Sequence, residues 1–221
     1  MSSITPESVQ ALLSSEDYGD RISGLNQLRH LDNATGFALI QPVLADPQAR
    51  VRYAAVSQMD RLGVVNPEQT LVLLRDVLLH DSEVDVQSAA ADAIAALKLT
   101  EGFADLKAAY EGSSEWLLQF SIVAALGEMG DPRGFEILSD AIASDNNLLQ
   151  TAAISAFGEL GDPRAVELLL PFQDNEDWQL RYRLAQALNR LGGEAAQAVL
   201  TQLAADSVEI VAEEAKTGHG A

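Results

Sequence analysis

The stretch that decides the fold occurs twice. It reads Leu126-Gly127-Glu128-Met129-Gly130-Asp131-Pro132-Arg133 and, one repeat later, Phe157-Gly158-Glu159-Leu160-Gly161-Asp162-Pro163-Arg164. Each copy follows an alanine-rich segment, and its Asp-Pro step puts a capping residue before a proline at the first position of a helix. The motif therefore predicts a helix, a glycine turn and a second helix.

The repeat continues in both directions along the chain. Alignment of equivalent positions gives six anchor residues: Arg21, Arg52, Gln87, Gln119, Gln150 and Arg181. The interval from Arg52 to Gln87 is longer than the others and contains Gly63-Val64-Val65-Asn66-Pro67, which is typical of a loop insertion. The other intervals are 31 or 32 residues, and a nearly constant period of this length is typical of stacked helix pairs.

Apolar residues recur at fixed distances from each anchor. They occupy the position before it (Val51, Val86, Leu118, Leu149, Leu180), the position seven after it (Leu28, Met59, Ile94, Leu126, Phe157, Leu188) and the position ten after it (Leu31, Leu62, Leu97, Met129, Leu160, Leu191). At about 100° per residue these positions share one face of a helix. With a degenerate unit at 206–215, we predict an all-α solenoid of about seven helix pairs, a right-handed superhelix with a concave binding surface.

Composition and charge exclude several classes of protein. The chain has 221 residues, no cysteine, and 14 Lys+Arg against 33 Asp+Glu, a formal charge of −19. Disulfides, cysteine-ligated zinc and a cysteine nucleophile are therefore excluded. Such a charge repels nucleic acid and anionic membranes. Because there is no apolar run of membrane-spanning length and no signal-peptide pattern, we expect a soluble cytoplasmic protein. From the extent of the repeats we expect one domain at 1–215 and a disordered tail at 216–221.

The Gly-Asp-Pro-Arg turn after an alanine-rich helix resembles the short HEAT-like repeat of the phycobilisome-lyase type. Other repeats have drifted from it: Leu191-Gly192-Gly193 lacks Asp-Pro and Leu97-Lys98-Leu99 lacks the glycine. The resemblance implies a phycobiliprotein partner, such as phycocyanin or allophycocyanin, and a cyanobacterial setting that includes thylakoid-attached phycobilisomes. It also implies a bilin of the phycocyanobilin type as a non-covalent ligand; no cofactor of the protein's own is expected.

Catalytic and metal-binding motifs are scarce. His30, His80 and His219 do not form the i, i+4 pair of a helical metal site, so no metal is expected. Asp131 and Asp162 are interpreted as turn residues that cap the following helix. Whether the protein is an enzyme stays open. Tyr53, Tyr182, Asp60 and Asp92 are the candidates for proton transfer to or from a bilin.

The anchor arginines have a structural interpretation. Arg21, Arg52 and Arg181 occupy the position at which related repeats form a ladder with acidic turn residues, and the candidate partners here are Asp17, Asp46 and Asp177. Gln87, Gln119 and Gln150 would make the middle of such a ladder neutral.

Aromatic and arginine residues are the candidates for binding. Aromatic side chains occur three residues before an anchor (Tyr18, Trp116, Trp178) and one after it (Tyr53, Phe120, Tyr182), and arginines neighbour two of these tyrosines. Exposed Trp and Tyr suit protein interfaces and flat ligands, and guanidinium groups suit the propionates of a bilin. The candidate bilin- or partner-binding set is Tyr18, Arg50, Arg52, Tyr53, Trp116, Phe120, Trp178, Tyr182 and Arg183. The alternative is that these residues pack between repeats or neutralise turns.

Three functions stay open at this point. The first is a protein that binds phycobilisome components and promotes chromophore detachment or antenna degradation. The second is a subunit of a bilin lyase or isomerase, and the third is a protein-binding scaffold without pigment. The oligomeric state, monomer or homodimer, is not indicated by the sequence.

Overall fold

The computed structural model describes residues 4–217, and every regular element in that range is helical. The α-helices are α1 Pro6–Leu13, α2 Tyr18–Gln27, α3 Asn33–Ile40, α4 Ala49–Val56, α5 Met59–Leu62, α6 Pro67–His80, α7 Val84–Ala96, α8 Phe103–Gly112, α9 Trp116–Met129, α10 Phe135–Ile142, α11 Asn147–Leu160, α12 Ala165–Leu169, α13 Trp178–Leu191, α14 Glu194–Leu203 and α15 Glu209–Thr217. Short 3-10 turns extend or connect several of them. No helix within the described range is long and apolar enough to cross a membrane.

These helices form seven pairs, which confirms the all-α class and the number of repeats. The second helix of each pair carries the anchor, or its equivalent in the last repeat: α2, α4 with its continuation α5, α7, α9, α11, α13 and α15. The predicted degenerate seventh repeat is therefore present, and α15 is its second helix. The handedness and concave surface predicted for the assembly stay predictions.

Burial follows the predicted helical face closely. Every residue seven positions after an anchor is fully buried, and every apolar residue directly before an anchor is at most 4% exposed. The position ten after the anchor differs, because Leu31, Leu97, Leu160 and Leu191 are only half-buried there. These four leucines lie at or just after the last residue of a helix.

The chain forms two compact units, Met1–Ser121 and Ile122–Ala221, where the sequence predicts one domain. The predicted tail also begins too early, since Lys216 and Thr217 belong to α15. The rest of that tail, 218–221 with His219, lies outside the described residues.

In the second unit, the glycines of the repeated motif have separate tasks. A Cβ added at Gly127 would lie 2.6 Å from Ala156 Cα of α11, and one at Gly158 would lie 2.7 Å from Ala187 Cα of α13. Gly130 and Gly161 instead end their helices at φ values of 72° and 71°. The first glycine of the motif permits close helix packing, and the second permits a left-handed turn.

The rest of the motif builds the start of the next helix. Asp162 Oδ1 accepts a hydrogen bond from the Arg164 backbone N–H, and the Arg164 guanidinium pairs with the same carboxylate. That guanidinium also lies 4.1 Å from the centroid of the Phe135 ring. Asp131 makes the same turn contact with Arg133. Both aspartates are turn residues, as predicted, but neither caps the following α-helix. Asp131 caps the 3-10 turn Pro132–Gly134, and α10 and α12 begin at Phe135 and Ala165 without a side-chain cap.

Candidate functional site

The anchor arginines form a ladder, but with partners in the next repeat. Arg21 pairs with Asp46, Arg52 with Asp81 and Arg181 with Asp206, at N–O distances of 2.6, 2.7 and 2.6 Å. All six side chains are nearly buried. Of the predicted partners only Asp46 is correct. Asp17 and Asp177 instead cap α2 and α13, because a carboxylate at the N-cap accepts the free N–H groups of the first turn.

The residue six positions before each anchor also has a constant role in the structure. These residues, with the equivalent residue of the last repeat, are Ser15, Asp46, Asp81, Ser113, Ser144, Asn175 and Asp206. In all seven, a side-chain oxygen accepts a hydrogen bond from the backbone N–H two residues later. The carbonyl of this residue accepts from the anchor of its own repeat in four cases, Arg21, Arg52, Gln119 and Arg181.

The anchor of one repeat and the turn residue of the next repeat match in charge. Each arginine anchor is followed in the next repeat by a turn aspartate, and each glutamine anchor (Gln87, Gln119, Gln150) is followed by Ser113, Ser144 or Asn175. A buried guanidinium or carboxylate without a partner is costly, so the charges occur together or are both replaced. The ladder is therefore structural, and a comparison of each anchor with the turn residue of the following repeat would have found it in the sequence.

A cleft of about 500 Å³ lies in the first unit and is the candidate functional site, named here the first-unit cleft. It is lined from α4 by Ala49, Arg50 and Tyr53, from the start of α7 and its face by Glu83, Asp85, Val86, Ser88, Ala89 and Asp92, and from α9 by Leu117 and Ser121. Asp85, Ser88, Ala89 and Asp92 have helical spacing and form one stripe along α7. The cleft thus runs across the second helices of three successive repeats.

The charge and hydrogen bonding of this cleft are unusual. Three carboxylates, Glu83, Asp85 and Asp92, line it together with one cation, Arg50. Ser88 is 6% exposed, and its Oγ has no hydrogen-bond partner. Serine inside a helix often donates to the carbonyl four residues earlier, and a buried hydroxyl left unpaired costs about 1–3 kcal/mol. The sequence gives no signal for this serine, since nothing in the repeat pattern distinguishes it.

The structure brings only part of the predicted binding set together. Arg50 and Tyr53 line the first-unit cleft, whereas the Arg52 guanidinium is held in the ladder by Asp81 and the Asp46 carbonyl. Tyr18 and Trp116 also belong to the first unit and are about half exposed, but they do not line the cleft. Phe120 is half-buried.

The other predicted residues lie in the second unit. Trp178 and Arg183 are exposed, and the half-buried Tyr182 accepts a hydrogen bond at its hydroxyl from Gln186 Nε2. Packing between repeats therefore does not account for Tyr18, Tyr53, Trp116 or Trp178, whose side chains remain 41–51% exposed. Exposed aromatic side chains are what a protein partner uses.

Several carboxylates with lowered pKa values belong to turns and to the ladder. Hydrogen bonds from Arg181 and the Val208 backbone N–H hold the pKa of Asp206 below its usual range despite partial burial. Arg133 lowers the pKa of Asp131 in the same way. A lowered pKa makes a carboxylate a weaker base, so these groups do not suit proton abstraction. Among residues 4–217, no group of three His, Asp or Glu is arranged to hold a metal ion.

The sequence matches the family profile of HEAT repeats over residues 5–95, 71–156 and 144–217, and the chain belongs to that family. No curated protein matches it significantly.

Several solved structures share the fold. The complex of CpcE and CpcF of phycocyanin lyase from Nostoc sp. PCC7120 is similar with a TM-score of 0.65 and 21% identity, over 97% of this chain and 88% of that one. YibA of Escherichia coli gives 0.68 and 16%, over 98% and 81%. An archaeal HEAT-like repeat protein from Thermococcus onnurineus NA1 gives 0.61 and 13%, over 99% and 97%. At these identities the likeness concerns the fold.

Proposed function

We propose that this HEAT-repeat protein binds a phycobiliprotein and promotes detachment of its chromophore or breakdown of the antenna. In its length and acidic composition the chain resembles one particular protein, the cyanobacterial non-bleaching phycobilisome degradation protein. The Gly-Asp-Pro-Arg repeats support this assignment, as does the fold shared with a phycocyanin lyase complex. The observation that carries the binding role is the set of exposed aromatic side chains on the anchor helices, Tyr18, Tyr53, Trp116 and Trp178.

A second candidate is a subunit of a bilin lyase. The observation in its favour is the similarity to the CpcE and CpcF complex, which extends over nearly the whole chain. A subunit of this kind would need its partner chain for activity, so the purified protein alone would leave the bilin unchanged. Neither candidate requires a cysteine on this chain, because the thiol would belong to the phycobiliprotein.

The charge of the first-unit cleft limits how a bilin could be bound. A bilin carries two propionates, and the cleft offers Arg50 against three carboxylates. Like charges repel, so the carboxylates of the cleft suit a surface of the partner protein better than the propionates. Any direct contact with the bilin would therefore use aromatic side chains outside it.

The test combines the purified chain with holo-phycocyanin and, separately, with free phycocyanobilin. Co-elution in gel filtration reports docking, while visible absorbance and fluorescence report the chromophore. Loss or shift of the bilin band with co-elution would support chromophore handling. Co-elution with unchanged spectra would indicate a docking protein without bilin chemistry, and absence of any interaction would refute the proposal.

Variants connect that test to the surface. The double variant Tyr53→Ala/Trp178→Ala, which truncates one exposed aromatic side chain in each unit, should weaken co-elution about tenfold or more while the helical circular dichroism stays intact, because interface aromatics contribute strongly when buried by a partner. The matched control is Val72→Ala/Leu168→Ala, which truncates one exposed apolar side chain in each unit on the first helices of their pairs. Equal loss in both variants would place docking elsewhere.

A further inference from the structure

We propose that the first-unit cleft receives the guanidinium or ammonium group of a basic segment on a partner protein. This inference rests on the proposed protein-binding function and states the chemistry of the partner. Three features carry it: the carboxylates of the cleft, the unpaired hydroxyl of Ser88, and the exposed ring of Tyr53.

The carboxylates set the sign of the ligand. Glu83 and Asp85 are exposed at the start of α7, and Asp92 lies two turns further along the same stripe. Arg50 is the single cation among the described lining residues, so the cleft is negative overall within a chain that is itself strongly negative. An arriving cation would be attracted over the whole approach and then held between carboxylates.

Ser88 adds a specific acceptor. Ser88 lines the cleft between Asp85 and Asp92 on the same stripe of α7, and its buried Oγ has no hydrogen-bond partner, so a rotation about χ1 would be enough to offer it to a ligand. Guanidinium and ammonium groups carry only donors, and a serine oxygen can accept from them. A bound basic side chain would therefore supply the bond that the folded chain leaves unmade.

Tyr53 and Leu117 suit the rest of such a side chain. Tyr53 is 47% exposed beside the carboxylates, and its ring face can take a guanidinium by stacking. Leu117 offers apolar surface for the methylene stem of Arg or Lys. The volume of about 500 Å³ lies in the range of binding sites and accommodates more than one side chain of a docked segment.

The test uses a fluorescein-labelled peptide of eight residues, alternating Lys and Arg, and measures its anisotropy with the full chain at low salt. We expect saturable binding that Glu83→Gln/Asp85→Asn weakens about tenfold or more. The control Glu136→Gln/Glu167→Gln removes the same charge from exposed sites on α10 and α12 and should change affinity less than about twofold. Equal losses in the two variants, or no saturable binding, would overturn the proposal.

Ser88→Ala separates a binding role from a structural one. Since the hydroxyl has no partner in the free protein, its removal should leave the melting temperature unchanged or raise it, while peptide affinity falls several-fold. An unchanged affinity would remove Ser88 from the site and overturn the proposal as stated.

Holo-phycocyanin co-elution, measured on the same variants, distinguishes this inference from the proposed function. If the wild-type chain binds phycocyanin but does not bind the peptide, the inference fails and the proposed function stands. If the wild-type chain binds the peptide at the cleft but not phycocyanin, the inference holds and the partner is another protein with a basic segment.

Discussion

At the scale of single residues, four anchors of the described residues donate a hydrogen bond to the carbonyl of their own turn, and each arginine anchor also forms an ion pair with the turn of the next repeat. The bond to the turn carbonyl is made by arginine and glutamine alike, as Arg52 and Gln119 show. The ion pair needs an aspartate on the following repeat, and the sequence provides one after each arginine and after no glutamine. An anchor arginine and the turn aspartate of the next repeat can therefore be replaced by neutral residues only together.

Exchange of the pair gives the first prediction. Arg52→Gln should keep the bond to the Asp46 carbonyl but leave the nearly buried Asp81 carboxylate unpaired, at a cost of about 3–5 kcal/mol. The double variant Arg52→Gln/Asp81→Ser reproduces the combination of Gln87 with Ser113 and should recover more than half of that loss. Urea unfolding of both single variants and the double variant measures the coupling; additive losses would refute the pairing rule.

Acid stability gives the second prediction. The folded pKa of Asp206 lies below its usual range because of Arg181, so its contribution to stability is complete above about pH 4 and is lost as the pH falls through the folded pKa. Asp206→Asn should be less stable than wild type at pH 7, and the difference should shrink at pH 3. Melting temperatures at both pH values test this, with the exposed Glu213→Gln on α15 as the control, for which no such convergence is expected.

Residues with a purely local role were predicted correctly, whereas most partners in the following repeat were missed because only the turn of the same repeat was considered. The turn roles of Asp131 and Asp162 follow from the preference of Asp for hydrogen bonding to its own turn, and the buried face positions follow from the 3.6-residue period. The partners of Arg21, Arg52 and Arg181 lie in the turn of the following repeat, beyond any rule for a single turn. The orphan hydroxyl of Ser88 depends on the cleft around it, which no sequence pattern encodes.

At the scale of helices, close approach depends on small residues facing each other. Gly127 of α9 meets the backbone of Ala156 on α11, and Gly158 of α11 meets that of Ala187 on α13, so both helix pairs pack nearly backbone to backbone. The sequence indicates a glycine turn in this motif, but the glycine before it is a packing residue. Of two glycines three residues apart, the first thus permits close helix packing and the second permits the left-handed turn.

Substitution at that contact gives the third prediction. Gly158→Ala places a Cβ 2.7 Å from Ala187 Cα, so one helix must shift, and we expect a loss of about 1–3 kcal/mol. Gly112→Ala is the control, since a Cβ there meets nothing within 4 Å and should be neutral or stabilising by about 0.4–1 kcal/mol. Chemical unfolding of both variants decides; similar effects would show that the contact is not tight.

At the scale of the whole molecule, the charge of −19 opposes compaction. Cations are few, and several of them are used in local pairs within one turn or helix, such as Arg164 with Asp162 and Lys107 with Glu111. Much of the negative charge is therefore exposed and repels itself. The same exposed negative charge would attract a basic segment of a partner protein.

Screening of that repulsion gives the fourth prediction. Raising sodium chloride from about 20 mM to about 500 mM shortens the range of the repulsion well below the size of the molecule, and the melting temperature should rise by about 2–4 °C. The nearly buried ladder is screened much less. A fall in melting temperature would mean that exposed ion pairs contribute more than the net charge.

The matching of anchor and turn also bears on how an array of this kind can grow. The repeat with turn residue Asp81 and anchor Gln87 accepts a charged neighbour on one side and a neutral one on the other, and the repeat with Asn175 and Arg181 does the reverse. These two repeats act as adapters between charged ends and a neutral middle. Tandem duplication of a middle repeat would leave every junction compatible, whereas duplication of an adapter would create a mismatched one. Duplication of repeats is thus tolerated between the two adapters, whereas duplication of an adapter itself is disfavoured.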